Sequence, residues 1–123
     1  MNLWLAVFVG GGLGSVVRFA LSKAVRVLAP GALFPWATLA SNLLATALLA
    51  WLVMRWQVLQ PGREHWYALL AVGFCGGFST MSTFSLENHQ LLREGLHGFV
   101  VLNVLVTLVP GVLFFHFLTR TPS

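Results

Sequence analysis

The sequence has few charged residues, a single cysteine and no aspartate. Only 8% of its 123 residues are charged, whereas about a quarter are charged in soluble domains. The lone Cys75 excludes an internal disulfide, and beside glycines in an apolar stretch it is typical of a small packing residue. The four histidines lack metal-ligand spacing, and local spacing places no nucleophile beside a base. We therefore do not expect an enzyme.

Basic residues outnumber acidic ones, seven to three, but they do not form a nucleic-acid surface. They are scattered, one or two at the ends of apolar stretches, where Lys and Arg commonly anchor a span to lipid headgroups. No basic run or face is present, so nucleic acid is not an expected partner.

Hydrophobic residues make up 58% of the chain and fall into four long stretches. A bilayer-spanning helix needs about 20 mostly apolar residues, and residues 2–22, 36–54, 66–91 and 98–118 each meet this requirement. We interpret the first stretch as a span and not as a cleaved signal, because it lacks a positive leading region and continues into Arg18. The sequence thus predicts an all-α, multi-pass membrane protein with one four-span domain over residues 1–123, in contact with the lipid bilayer.

Apart from Arg18, which lies within the first span, the positive charges are divided evenly between the two sides of the predicted bundle. One side carries Arg55, Arg63 and Arg120. The other side carries Lys23, Arg26 and Arg93. Since the Lys/Arg bias sets orientation, either a further feature decides how the chain inserts, or copies insert both ways up. In the second case two copies would pair as an antiparallel dimer.

Polar residues recur every four positions within three of the spans. These stripes are Thr38, Asn42 and Thr46; Ser79, Thr83 and Glu87; and Asn103 and Thr107. Residues four apart share one helical face, so the stripes either converge on a polar path or provide hydrogen bonds between helices, worth about 0.6 kcal/mol each. Arg18 and Glu87 lie late in their spans, where an ionisable side chain either faces a water-filled path or extends to the interface.

Glycine has two predicted roles. Gly10 and Gly14 form a small-xxx-small pattern for close helix packing, and no strand or acidic residue supports a nucleotide site there. In the third span, Gly76 and Gly77 are followed closely by Ser79 and Thr80. Glycine weakens the helical ladder and hydroxyls offer the backbone other partners, so we expect the third helix to be broken at its centre. Such breaks hold ions in transporters.

Three segments resemble motifs of the Fluc/CrcB fluoride channels: GGGLGSVVRF, TLASNLLAT and GFCGGFSTMSTFSLE. The similarity covers essentially the whole chain. It implies an antiparallel, dual-topology homodimer in a bacterial inner membrane, with two fluoride pathways and a central structural Na+. It also implies that the chain exports cytoplasmic fluoride passively.

The resemblance also implies roles for individual residues. The Na+ ligands would be the main-chain carbonyls of Gly76 and Ser79 of both subunits. The fluoride pore would include Asn42, Met81, Ser82, Thr83, Phe84 and Glu87. Arg18 would lie at the vestibule. Amide and hydroxyl groups can donate to a dehydrated anion, and the electropositive edge of the Phe84 ring can contact it.

The chain departs from the family pattern at three positions. Met81 stands where the family usually has phenylalanine, and Gly111 and Phe115 stand where the fourth span usually has serine and threonine. These departures bear on transport rate more than on the fold. Two other classes remain open. A small multidrug-type cation exporter would want an acidic residue deep in the first span, where this chain has Arg18. In a non-transporting subunit the polar stripes would serve packing alone.

Overall fold

A computed structural model describes residues 2–56 and 62–118, except for the side chain of Trp56. Four helical segments in these ranges are long and apolar enough to cross a membrane. They are Leu3–Leu28, Trp36–Arg55, Glu64–Arg93 and His97–Leu118. The predicted all-α architecture with four spans is confirmed. Arg120, one of the counted charges, lies outside the described residues.

The first helix is longer than predicted. Helix α1 covers Leu3–Leu28. Asn2 is its N-cap, and the side-chain oxygen of Asn2 accepts a hydrogen bond from the backbone N–H of Leu5 at 2.7 Å. It continues beyond the predicted end at residue 22 because the following residues, including Lys23 and Arg26, are compatible with a helix until Pro30. Both basic side chains therefore belong to a helix and not to a loop. Helix α2 covers Trp36–Trp56.

The third span is assembled from several pieces. It comprises α3 (Glu64–Tyr67), a π-helical segment (Ala68–Phe74), α4 (Cys75–Phe78) and α5 (Met81–Arg93). Between α4 and α5, Ser79 and Thr80 have extended backbones, with ψ angles of 159° and 121°. Gly76 and Gly77 themselves are helical. No sequence signal predicted the π-helical segment, a rare conformation that is frequent at functional sites.

Glycines allow α1 to pack backbone to backbone against the third span. A Cβ atom added at Gly10 would collide with the carbonyl group of Leu69, and one at Gly14 would collide with that of Phe74. From the other side, a Cβ at Gly77 would collide with the carbonyl of Gly11. The predicted close-packing role of Gly10 and Gly14 is thus confirmed. Gly77 is thus a helical residue that packs against α1, and the extended residues Ser79 and Thr80 follow it.

Helix α6 (His97–Leu118) passes through Pro110 without interruption. A polar contact joins this helix to α5. Asn103 is 1% exposed and donates from Nδ2 to Oδ1 of Asn88 at 2.9 Å. The hydroxyl of Thr107 in turn donates to Oδ1 of Asn103 at 3.4 Å. The stripe on the fourth span therefore provides interhelical hydrogen bonding at Asn103.

The outer faces of the helices are apolar. Trp4, Phe8 and Leu28 are among many large hydrophobic side chains that remain exposed. A soluble monomer rarely exposes large continuous apolar patches, whereas spans in contact with lipid tails must. The exposed apolar surface therefore agrees with the four membrane-spanning segments.

Candidate functional site

Side chains of the third span cap its own interruption. Thr80 occupies the position before α5, and its hydroxyl accepts a hydrogen bond from the backbone N–H of Thr83 at 3.2 Å. Ser79 returns to the preceding turn: its backbone N–H and its hydroxyl donate to the carbonyl of Cys75 at 3.0 and 2.9 Å. Threonine and serine are favoured at such helix ends because their hydroxyls replace missing backbone partners.

Asn42 of α2 braces this interruption from the neighbouring helix. Its Oδ1 accepts a hydrogen bond from the backbone N–H of Thr80 at 2.7 Å, and its Nδ2 donates to the carbonyl of Thr80 at 3.3 Å. The two bonds are arranged like those between paired β-strands, although they join residues 38 positions apart in the sequence. The backbone carbonyl of Asn42 also accepts from the Thr46 hydroxyl at 2.7 Å. One N–H of the Asn42 amide remains available for a ligand, since the NH2 group has two donors.

Arg18 of α1 holds the end of α4. Its Nε donates to the carbonyl of Gly77 at 3.1 Å. The last carbonyls of a helix lack intrahelical donors and carry partial negative charge, so a guanidinium is a favourable partner there. The structure therefore gives Arg18 a definite contact with the backbone beside the interruption.

A groove of about 340 Å³ lies beside the interruption, bounded by α2, α5 and α6. We call it the main groove. Residues singled out from the sequence line it, among them Asn42, Ser79, Met81, Phe84, Gly111 and Phe115. Thr46, Thr80 and Thr107 add hydroxyls to its wall. Met81 is 71% exposed and Phe84 only 9%, so the two residues share the groove but differ in how firmly they are packed.

A second, smaller cavity of about 120 Å³ lies between α1, α2 and α5, and we call it the inner recess. Arg18, Arg26, Thr38, Thr83 and Glu87 line it, as does Thr80. Oε1 of Glu87 is buried without a hydrogen-bond partner among the described residues. Because Thr80 lines both the main groove and the inner recess, the interruption of the third span separates these two polar spaces.

The remaining predicted residues are placed differently. Ser82 is exposed and lines neither space, although its hydroxyl lies 3.3 Å from that of Thr80. Gly76 lines a separate cavity of about 140 Å³ together with Ser79 and Thr46. Within residues 2–56 and 62–118, no group of three or more His, Cys, Asp or Glu side chains could hold a metal ion.

Thr80 is the one central residue that sequence reasoning did not assign to the site. It caps α5, pairs with Asn42 and lines both polar spaces. A signal was present, because threonine directly before a helical run is a favoured N-cap. Its pairing with Asn42 carried no such signal, since that contact depends on how α2 packs against the third span.

These features define a class: a small, multi-pass α-helical membrane protein whose polar groups gather around an interruption in one span. Residues 5–118 match the family described as "CrcB-like protein, Camphor Resistance (CrcB)". The chain belongs to this CrcB family, which confirms the resemblance drawn from its three motifs.

Curated relatives cover most of the chain. It is 44% identical over 109 residues to the Fluoride-specific ion channel FluC of Escherichia fergusonii, covering 89% of this chain and 84% of the relative. It is 42% identical over 109 residues to the proteins of the same name from Salmonella arizonae and Salmonella newport, with the same coverage.

The contact of Arg18 with Gly77 predicts a difference between two arginines of the inner recess. Arg18→Ala should lower the free energy of unfolding in detergent by about 2 kcal/mol, the scale of a hydrogen bond to a charged group. Arg26→Ala removes the same charge from an exposed position in the same recess and should change stability much less. Thermal unfolding of both variants measures this difference in stability. Equal losses of stability would show that the positive charge in the recess stabilises the protein and that the contact with Gly77 does not.

Proposed function

We propose that this protein is a fluoride-selective ion channel that lets cytoplasmic fluoride leave passively across the bacterial inner membrane and so reduces its toxicity. On this account it is a channel and not an enzyme. The single observation that carries the proposal is its membership of the CrcB family, with relatives named Fluoride-specific ion channel FluC over 89% of the chain.

The chemistry of the main groove is compatible with a small, strongly hydrated anion. Such an ion loses water only where donors replace it, and the groove offers the second N–H of Asn42 as such a donor, whereas the hydroxyls of Thr46 and Thr107 already donate within the chain. Phe84 adds an aromatic ring, whose edge is electropositive.

The inner recess supplies the approach to this path. Arg18 and Arg26 bring positive charge to its wall, and Thr83 adds a hydroxyl. The path proposed here runs from the recess past Thr80 into the main groove. Glu87 lies at the recess end of this path. Ser82, which lines neither space, would join the path only through its neighbour Thr80.

The proposed assembly is an antiparallel, dual-topology homodimer. The main groove opens on the outer face of the four helices, where Met81 is 71% exposed. A single chain with its polar groove on the outside does not enclose a path through the bilayer, whereas a second copy laid over the groove would. The even division of Lys and Arg between the two sides agrees with insertion both ways up.

We further propose that the third span acts as a discontinuous helix that holds a structural Na+ at the dimer interface. Hard cations prefer oxygen ligands, and unwound backbone carbonyls bind Na+ in other transporters. The carbonyls of Gly76 and Ser79 of both subunits would supply these ligands. A Cβ added at Gly76 would meet no atom within 4 Å, so the space beside this residue is open to a second copy.

The multidrug-type cation exporter is not supported. The relatives are named as fluoride channels. In addition, the first span carries Arg18 where such an exporter would want an acidic residue.

Efflux from liposomes tests the proposed function directly. Vesicles containing the purified protein should release fluoride but neither chloride nor a lipophilic cation. Phe84→Ile should slow fluoride release by at least about tenfold, the rate equivalent of one lost aromatic contact of about 1.4 kcal/mol. The matched variant Met81→Phe restores the family pattern at an exposed position and should keep transport. Unchanged efflux in Phe84→Ile would exclude its ring from the path, and chloride release equal to fluoride release would contradict the proposed selectivity.

Dual insertion predicts that reporters fused to the C-terminus are found on both sides of the membrane. Two arginines added to the second loop should bias orientation and reduce fluoride efflux, because the antiparallel dimer then lacks one partner. Two glutamines added at the same place are the control and should change neither. A single orientation in the unmodified protein would contradict the antiparallel model.

A further inference from the structure

We infer that Asn42 and Thr80 are positioning residues for the cation site, because their side chains capture the two backbone N–H groups that would otherwise bind the carbonyls of Gly76 and Ser79. The inference rests on the proposed Na+ site but assigns a task to residues that are not its ligands. It follows from the hydrogen bonds around the interruption.

In an uninterrupted α-helix, each N–H donates to the carbonyl four residues earlier. The N–H of Thr80 would therefore bind the carbonyl of Gly76. Instead it donates to Oδ1 of Asn42 at 2.7 Å. The side chain of Asn42 thus diverts the one donor that the ladder assigns to Gly76.

The same rule applies one turn later. The N–H of Thr83 would bind the carbonyl of Ser79 in a continuous helix. Instead it donates to the hydroxyl of Thr80 at 3.2 Å. The Thr80 hydroxyl therefore binds the N–H that would otherwise donate to the carbonyl of Ser79. Both proposed ligands thus lose their helical donor because a side-chain oxygen accepts it.

Three neighbouring carbonyls accept hydrogen bonds from within the chain. The carbonyl of Gly77 accepts from Arg18, that of Cys75 accepts from Ser79, and that of Thr80 accepts from Asn42. Each of these three carbonyls already has a donor within the chain, which leaves one lone pair instead of two for an ion. The diverted bonds thus distinguish Gly76 and Ser79 from these three carbonyls.

The ligand chemistry favours a cation of low charge. Two carbonyls per chain carry no net charge, and the described residues provide no acidic cluster beside them. Carbonyl dipoles at the C-terminal end of a helix still favour a cation. A monovalent ion such as Na+ fits neutral oxygen ligands of this kind better than a divalent ion, which usually requires carboxylates.

A matched pair of variants at Thr80 tests the inference. Thr80→Val removes the hydroxyl while nearly preserving the shape, and Thr80→Ser keeps the hydroxyl. Thermal unfolding of the purified protein in detergent is followed while Na+ replaces N-methylglucamine. A ligand that binds only the folded state raises the free energy of unfolding once its concentration exceeds its dissociation constant. Thr80→Val should raise the half-saturating Na+ concentration by about tenfold, as expected for one hydrogen bond. Thr80→Ser should stay near the unmodified protein.

A measurement on the unmodified protein covers the case in which Thr80→Val does not fold. With ¹³C-labelled glycine carbonyls, Na+ should shift the resonance of Gly76 and leave that of Gly77, which Arg18 holds, in place. Equal shifts at the two glycines, or the same Na+ dependence in both Thr80 variants, would overturn the inference.

The outcomes for the inference and the proposed function are separable. If Na+ does not stabilise the unmodified protein, the cation site and the inference with it are wrong, while fluoride efflux still decides the channel function. If Na+ titration behaves as expected but fluoride is not released, the positioning role of Asn42 and Thr80 stands and the channel function is wrong.

Discussion

The two hydrogen bonds between the Asn42 side chain and the backbone of Thr80 are the constraint on which the site depends. A buried backbone group without a partner is costly, especially in a membrane, where water cannot replace the missing bond. An interruption of the third span is therefore stable only where another part of the protein, water or a bound ion satisfies its N–H and carbonyl groups. A primary amide does both at once, because it carries a donor and an acceptor side by side.

The other side of the interruption is held by different means. Arg18 binds the carbonyl of Gly77, while α1 lies so close to the third span that Gly14 and Gly77 leave no room for a side chain. The end of α4 is thus fixed by backbone packing and the beginning of α5 by Asn42. Since the main groove and the inner recess meet at Thr80, the geometry of the proposed ion path follows from these contacts.

Much of the fold could be predicted from the sequence, and the site only in part. Apolar runs of sufficient length predicted the four spans, because the bilayer fixes that length. The sequence predicted an interruption where Gly76 and Gly77 are followed by Ser79 and Thr80; the extended residues are Ser79 and Thr80, whereas Gly77 is helical and packs against α1. The pairing of Asn42 with Thr80 could not be predicted, because it joins residues 38 positions apart and depends on helix packing.

Amide hydrogen exchange at Thr80 tests the central claim most directly. This N–H lies outside any helix, yet it is bound to Oδ1 of Asn42 at 2.7 Å and should exchange as slowly as the neighbouring helical amides. The amide of Leu33, in the exposed connection between α1 and α2, is a suitable reference for fast exchange. Slow exchange at Thr80 that becomes fast in Asn42→Ala is the predicted result. Fast exchange at Thr80 in the unmodified protein would contradict the account.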